Sequence, residues 1–276
     1  MPSDYVYHSQ FWFEEPESSN PFAAKACYCH GYDVYGQVIA KAGWFEYLLV
    51  MFKGERPEPA ASALLERLAM ILVNLGPKDA GIRAAMNGGV AGTNHSSALM
   101  SALAVGSGLY GGSQELEICI RLWKECGQDL ERWKARLQAP EEDERADIWP
   151  ALEHPPGFDP NGDQLPTTLR QSLELLVQFA PENGALNWLN NHRSELETFF
   201  GFPVSITAIA AAALVDLGLD QDQGSMLYLI LRLPGAAAHA LEQRKMGWKK
   251  FPFYSSAIKL ANDPGPYNDP SREGNQ

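Results

Sequence analysis

The segment SSALMSALAVGSGLYGGSQE, residues 96–115, contains the feature that decides the fold: apolar helical sequence interrupted by a glycine pair. SSALMSALA precedes the interruption, and LEICIRLW follows it from residue 116. A glycine pair between two helices either lets backbones approach closely or lets the chain adopt a positive φ. Tyr110, a large aromatic residue, stands directly before Gly111 and Gly112. The pattern predicts a turn between two helices that presents one side chain.

Helical patterns extend outward from this turn in both directions. The blocks 80–108 and 204–247 are rich in alanine, and the first is nearly uncharged, which is typical of buried, closely packed helices. The segment between them is more polar, and no alternating strand pattern competes with the helical periodicity. We therefore predict an all-α chain. A large helical domain would comprise residues 25–112 and 204–262 and receive a small domain of residues 113–203, with an N-terminal arm (1–24) and a loose C-terminal tail (263–276).

Composition excludes several classes of function. The chain has 276 residues, a formal net charge of −12 and a pI near 5.0, which argues against general binding to nucleic acid or anionic membranes. The longest apolar run, residues 208–215, is too short to cross a bilayer. The N-terminus has no basic segment followed by an apolar run, so we expect no signal peptide and a cytoplasmic protein.

The chain contains four cysteines, Cys27, Cys29, Cys119 and Cys126. Their spacing does not fit a zinc site, which needs two to four residues between paired ligands. We expect reduced thiols and no metal cofactor.

Four stretches resemble the citrate synthase family, including the citryl-CoA lyase module of ATP citrate lyase. They are CYCHGYDVYGQVIAKAGWFEYLLVMFKGERPEP (27–59), SSALMSALAVGSGLYGGSQE (96–115), PPGFDPNGD (155–163) and RLPGAAAHALEQRKMG (232–247). The second is similar to the lyase module's Gly-Asp-x-Phe-Gly-Gly-Ala turn. The fourth is similar to the family's Arg-x-x-Gly-x-x-Ala-His-x-x-Glu-Gln. The resemblance runs over most of the chain.

The resemblance implies a mostly helical homodimer whose small domain closes over a CoA thioester and a carboxylic acid. In the family, a His and an Asp enolise the thioester, a second His acts on the carbonyl of the partner acid, and arginines hold its carboxylates. A carboxylate base and a neutral imidazole suit that proton transfer, and arginine binds carboxylates through two parallel hydrogen bonds.

Tyr110 stands where the family has its first catalytic His. A phenol can donate a hydrogen bond to an enolate oxygen, or the ring can simply fill space under a hinge. The family's second His is deleted after Gly157 and Phe158, the pair that the resemblance assigns to CoA binding. His154, three residues upstream, either replaces it or is a solvated loop residue. Asp159 in Asp-Pro-Asn-Gly is predicted to be a turn residue.

Thr207 stands at the position of the family's base and cannot act as a carboxylate. It either binds a substrate oxygen or, together with Ser205, caps the following helix. Because no base is aligned there, we expect no ordinary citrate formation. Arg232 matches the family's carboxylate-binding arginine. Its buried charge needs an anionic partner, either a ligand or one of Asp216, Asp220 and Glu242.

Two histidines complete the candidate site. His239 matches a family His near the same pocket and is equally consistent with a core residue. His95 is either polar lining of the cleft or a buried, hydrogen-bonded residue. Tyr110, His239 and His95 are the candidate catalytic residues, and Arg232 and Thr207 the candidate substrate-binding residues.

These observations leave two hypotheses for function. The chain is an enzyme that forms or breaks a C–C bond in a CoA thioester by an altered mechanism. Alternatively, it is a non-catalytic homologue that serves as the partner subunit of an active paralogue or as a ligand-binding regulator.

Overall fold

A computed structural model describes residues 8–138 and 154–251. The predicted loose tail, residues 263–276, lies outside these ranges, as do the first seven residues of the predicted arm. Within the described ranges the chain is mostly helical, so the predicted fold class is confirmed.

The N-terminal region corrects the prediction of a chain without strands. Strands β1 (Trp12–Glu17), β2 (Asn20–Cys29) and β3 (Tyr32–Asp33) form an antiparallel sheet in the order β1-β2-β3. In β2, Cys27 and Cys29 are buried, whereas Tyr28 between them is only partly buried. The alternation covers only the end of the strand, and the residues before it are mostly exposed.

The first helices follow in quick succession. A π-helix (Val34–Val38) leads into α1 (Ile39–Lys41), α2 (Trp44–Lys53) and α3 (Pro59–Leu72). Helix α2 ends before Gly54, which adopts φ +78°. The alanine-rich block 80–108 forms two helices, α4 (Ala80–Val90) and α5 (His95–Gly106). Asn94 divides them by accepting a hydrogen bond from the Ser97 N–H at the start of α5.

Six further helices complete the described chain. They are α6 (Ser113–Cys126), α7 (Leu130–Gln138), α8 (Thr167–Val177), α9 (Ala185–Phe200), α10 (Ile206–Asp216) and α11 (Gln221–Met246), with a short 3₁₀ turn at Trp248–Lys250. Helix α11 packs against α3, α4, α5 and α6 and is the central element. Helix α10 packs between α6 and α9. None of the helices in the described ranges is long and apolar enough to cross a membrane.

The apolar residues form two clusters. The larger contains buried side chains from α2, α3, α6 to α10 and the first half of α11, with Trp123, Trp133 and Trp188 in mutual contact. The smaller joins α4 and α5 to the second half of α11 through Ile82, Met86 and several alanines. The predicted domain boundaries stay a prediction.

Candidate functional site

The turn that carries Tyr110 uses its two glycines differently. Gly111 adopts φ +68°, a conformation that disfavours residues with a side chain. Gly112 precedes α6, and a Cβ placed there would lie 2.2 Å from the Gly108 carbonyl oxygen. Both sequence interpretations are therefore correct, one for each glycine.

Two side chains from α11 hold this turn in place through hydrogen bonds. The Tyr228 hydroxyl and Arg232 Nη1 both donate to the Gly111 carbonyl oxygen, each at 3.1 Å. Tyr228 is fully buried, and burial raises the pKa of its phenol to about 12, so it remains a hydrogen-bond donor at neutral pH. The Arg232 guanidinium lies over the Tyr228 ring, 4.7 Å from its centroid.

Asp79 is the anionic partner of Arg232 in the structure, which corrects the set of partners proposed from sequence. Arg232 Nη2 donates to Asp79 Oδ2, and the two side chains are about equally buried. Asp79 also accepts a hydrogen bond from the Ile82 N–H and so caps α4. The available signal was an Asp immediately before an alanine-rich helix, which is typical of an N-cap.

The three carboxylates first considered serve other elements. Asp216 accepts the N–H groups of Ala185 and Leu186 at the start of α9, Asp220 forms the capping box of α11, and the Glu242 carboxylate lies 4.0 Å from the His239 ring.

Glu115 is a buried carboxylate that the sequence interpretation did not identify. It lies in the first turn of α6 and accepts hydrogen bonds from the Gly111 N–H, the Gly157 N–H and the Thr207 hydroxyl. Desolvation by burial raises its pKa, and these three hydrogen bonds oppose the shift. Glu115 lies two residues after Ser113, where α6 begins. Nothing in the neighbouring sequence indicates that its partners Gly157 and Thr207 lie more than 40 residues away.

Tyr110 points outward from the turn and is 64% exposed, so it does not fill space in the core. Its ring centroid lies 6.0 Å from that of His154, which is only 7% exposed. The expectation of a solvated His154 is therefore wrong. The His154 ring also lies 6.3 Å from that of Phe202. The structure thus brings together Tyr110 and His154, which lie on different segments of the chain.

Gly157 and Phe158 follow His154 by three and four residues and are both buried. Gly157 adopts φ +86°, and a Cβ there would lie 3.1 Å from Cys119 Sγ. Phe158 forms a β-bridge with Val204. Asp159 accepts a hydrogen bond from the Asn161 N–H at 2.9 Å, which confirms the predicted turn.

Thr207 and Ser205 do not cap α10. Ser205 occupies the N-cap position without a capping hydrogen bond, and its hydroxyl has no partner within the described residues. Thr207 is fully buried and donates to Glu115 Oε2 at 3.3 Å. Its hydroxyl is therefore directed to a neighbouring carboxylate of the protein.

His239 and His95 lie away from the Tyr110 turn. His239 Nε2 is 3.0 Å from Asn74 Oδ1, and residue 239 is two helical turns beyond Arg232 in α11. His95 begins α5 and is exposed, so the interpretation as a buried residue is wrong. It lines a separate apolar cavity of about 280 Å³ with Leu99, Leu241 and Arg244.

An open polar pocket of about 500 Å³ adjoins the loop that follows Phe158. Its lining includes Phe202, Arg170 and Arg193. Arg193 Nη1 pairs with Glu197 at 3.1 Å, whereas Arg193 Nε has no hydrogen-bond partner in the described ranges.

Within the described ranges, no three His, Cys, Asp or Glu side chains cluster in a way that could hold a metal ion.

Comparison with solved structures places this geometry in a known fold. Citryl-CoA lyase from Hydrogenobacter thermophilus matches with a TM-score of 0.64 and 16% identity, over 96% of this chain and 97% of that one. ATP citrate lyase from Methanothrix soehngenii, solved in complex with citrate and coenzyme A, matches with a TM-score of 0.68 and 16% identity, over 100% of this chain and 44% of that one. Citrate synthase from Thermoplasma acidophilum matches with a TM-score of 0.53 and 14% identity, over 84% and 60%.

No family model and no curated protein matches the sequence. At these identities the structural matches show the fold. The chain therefore has the fold shared by citryl-CoA lyase, the corresponding part of ATP citrate lyase, and citrate synthase.

Proposed function

We propose that this chain binds a CoA thioester and a carboxylic acid, and that it forms or cleaves a C–C bond between them by an altered mechanism. One observation carries the proposal. Tyr110, His154 and Phe202 form a continuous line of ring contacts that leads from the glycine turn to the pocket lined by Arg170 and Arg193. In this proposal the thioester of the CoA compound lies at the glycine turn, and its phosphates lie in the pocket.

Tyr110 and His154 supply the acid–base groups of this proposal. A phenol held on a rigid turn can donate a hydrogen bond to a thioester oxygen as negative charge develops there. Histidine accepts and returns protons near neutral pH. Glu115 and Thr207 are buried behind the turn and support its position without contacting substrate.

The arginine pocket supplies the anion-binding end. The CoA moiety carries several phosphates, and arginine binds phosphate through paired N–H groups. The pocket lining also includes Asp163 and Glu197, so phosphate binding there requires Arg170 and Arg193 to leave their pairs with Glu174 and Glu197.

Thermal unfolding with CoA and acetyl-CoA tests the binding step. We expect both compounds to stabilise the chain, by about 2.7 kcal/mol at a hundred times the dissociation constant. Arg170→Gln combined with Arg193→Gln should weaken this response at least tenfold in affinity. Arg132→Gln removes an exposed arginine on α7 and is the control. Absence of stabilisation by any CoA compound would overturn the proposal.

One observation favours the non-catalytic alternative. Arg232 is already bound to Asp79 and to the Gly111 carbonyl oxygen, so its guanidinium is largely committed within the protein. A chain that binds CoA without turning over any thioester, citryl-CoA included, would be a ligand-binding regulator or partner subunit. Thioester turnover that Tyr110→Phe abolishes while CoA binding persists would favour the enzyme.

We also propose a symmetric homodimer through the region of α4 and α5, because small residues permit close helix approach. Exposed apolar side chains on α5 and α11, Met100, Val105, Ile230 and Leu241, support this surface. Light scattering at micromolar concentration should give twice the mass of the chain. Ile230→Glu should lower the measured mass to that of a single chain. A monomeric wild-type chain would contradict the dimer and leave pairing with an active paralogue as the remaining assembly.

We also propose a cytoplasmic location, which the buried, free cysteines support.

A further inference from the structure

Glu115 connects three segments that are distant in the sequence. Oε2 accepts the Gly111 N–H at 2.6 Å and the Thr207 hydroxyl at 3.3 Å, and Oε1 accepts the Gly157 N–H at 2.7 Å. These donors belong to the Tyr110 turn, the start of α10 and the loop that contains His154. We call this set of three hydrogen bonds the Glu115 clamp.

The pattern differs from that of an ordinary acidic residue at a helix start. Such a residue satisfies N–H groups of its own helix, whereas every donor to Glu115 lies outside α6. Burying a carboxylate is costly unless its oxygens are satisfied, and Glu115 is only 3% exposed. The carboxylate therefore acts as a connection between segments.

The segments that Glu115 connects carry the two sides of the proposed site. Gly111 follows Tyr110 directly, and Gly157 lies three residues after His154. Because both glycine N–H groups bind the same carboxylate, the separation of the two segments is set at one point. Loss of either hydrogen bond would release one side of the site from the other.

We propose that Glu115 is a positioning residue, which holds the Tyr110 turn and the His154 loop at the separation that the site requires. The role in the site rests on the proposed function, whereas the connection between the two segments does not. The clamp predicts that replacing the carboxylate exposes the glycine N–H of at least one of the two segments to exchange.

Glu115→Gln tests the clamp in the full chain. The amide has one acceptor oxygen and one NH₂ group, so in either orientation one of the two glycine N–H groups faces a donor. We expect hydrogen exchange at Gly111 or Gly157, followed by NMR, to accelerate about tenfold or more, as expected for loss of a hydrogen bond to a charged group. Glu117→Gln makes the same chemical change two residues away and should leave both amides unchanged.

The outcomes separate the clamp from the proposed function. Unchanged exchange at both glycines in Glu115→Gln would overturn the clamp whether or not CoA binds. Faster exchange with unchanged CoA affinity would overturn the positioning role. Faster exchange with an affinity at least tenfold lower would support it. A wild-type chain that ignores CoA would overturn the proposed function, while the exchange data still decide the clamp.

Discussion

Arg232→Ala is expected to lower the free energy of unfolding by about 3–5 kcal/mol, because it leaves the Asp79 carboxylate buried without its counter-charge. Both side chains are about nine-tenths buried in the structure. The substitution also removes a donor from the Gly111 carbonyl oxygen and a cation from the face of the Tyr228 ring. Urea unfolding, monitored by tryptophan fluorescence, measures the loss.

A double variant separates the stranded charge from lost packing. Asp79→Asn retains an oxygen that can cap α4 at Ile82 but carries no charge. Combined with Arg232→Met, it should recover most of the stability, since replacing both members of a buried pair is often neutral. A single variant that unfolds like the wild type would contradict the buried pair.

The double variant also tests the predicted carboxylate-binding role of Arg232. If Arg232 holds a ligand carboxylate, the double variant should fold and lose its response to carboxylic acids. If Arg232 serves the turn alone, the double variant should fold and respond as the wild type does.

Gly235→Ala is expected to be the most disruptive single-methyl addition in α11. A Cβ at Gly235 would lie 2.0 Å from the Val73 carbonyl oxygen, and a backbone atom cannot rotate away. Helices α3 and α11 would have to separate, at a cost of about 3 kcal/mol, at the upper end of the usual range for overpacking. Thermal or urea unfolding measures this loss.

Gly106→Ala is the matched control, because Gly106 also lies in a helix but has room for a methyl group. The nearest atoms to a Cβ there are 3.8 Å and 3.9 Å away, which is ordinary contact. Replacing a helical glycine by alanine usually gains a fraction of a kcal/mol. Equal losses for the two variants would show that the close approach of α11 to Val73 is not what makes Gly235 necessary.

Local sequence was sufficient for the helical class and for the turn. The helices follow from alanine-rich periodicity. The end of α2 at Gly54 and the turn before α6 follow from glycines at those positions. Each feature depends on the backbone conformation of a few neighbouring residues, so the local sequence shows it directly. The resemblance of four separate stretches was sufficient for the fold. The N-terminal sheet escaped detection because its buried alternation is limited to Cys27 and Cys29.

The site itself depended on contacts that local pattern does not encode. Sequence could place Arg232 in an apolar helix and require an anion, but Asp79 lies 153 residues away and carries only the signal of a helix cap. The exposure of Tyr110, the burial of His154 and the three partners of Glu115 likewise arise where distant segments meet.

The sequence by itself determined a helical chain, an acidic surface and a glycine turn that presents Tyr110, because each follows from neighbouring residues or from totals. Only the tertiary structure decided which charges neutralise one another and which side chains face outward. The reason is physical: a buried charge requires a partner, but the identity of that partner depends on how the helices pack, and the packing of α4, α6, α10 and α11 brings Asp79, Glu115, Thr207 and Arg232 to a single turn.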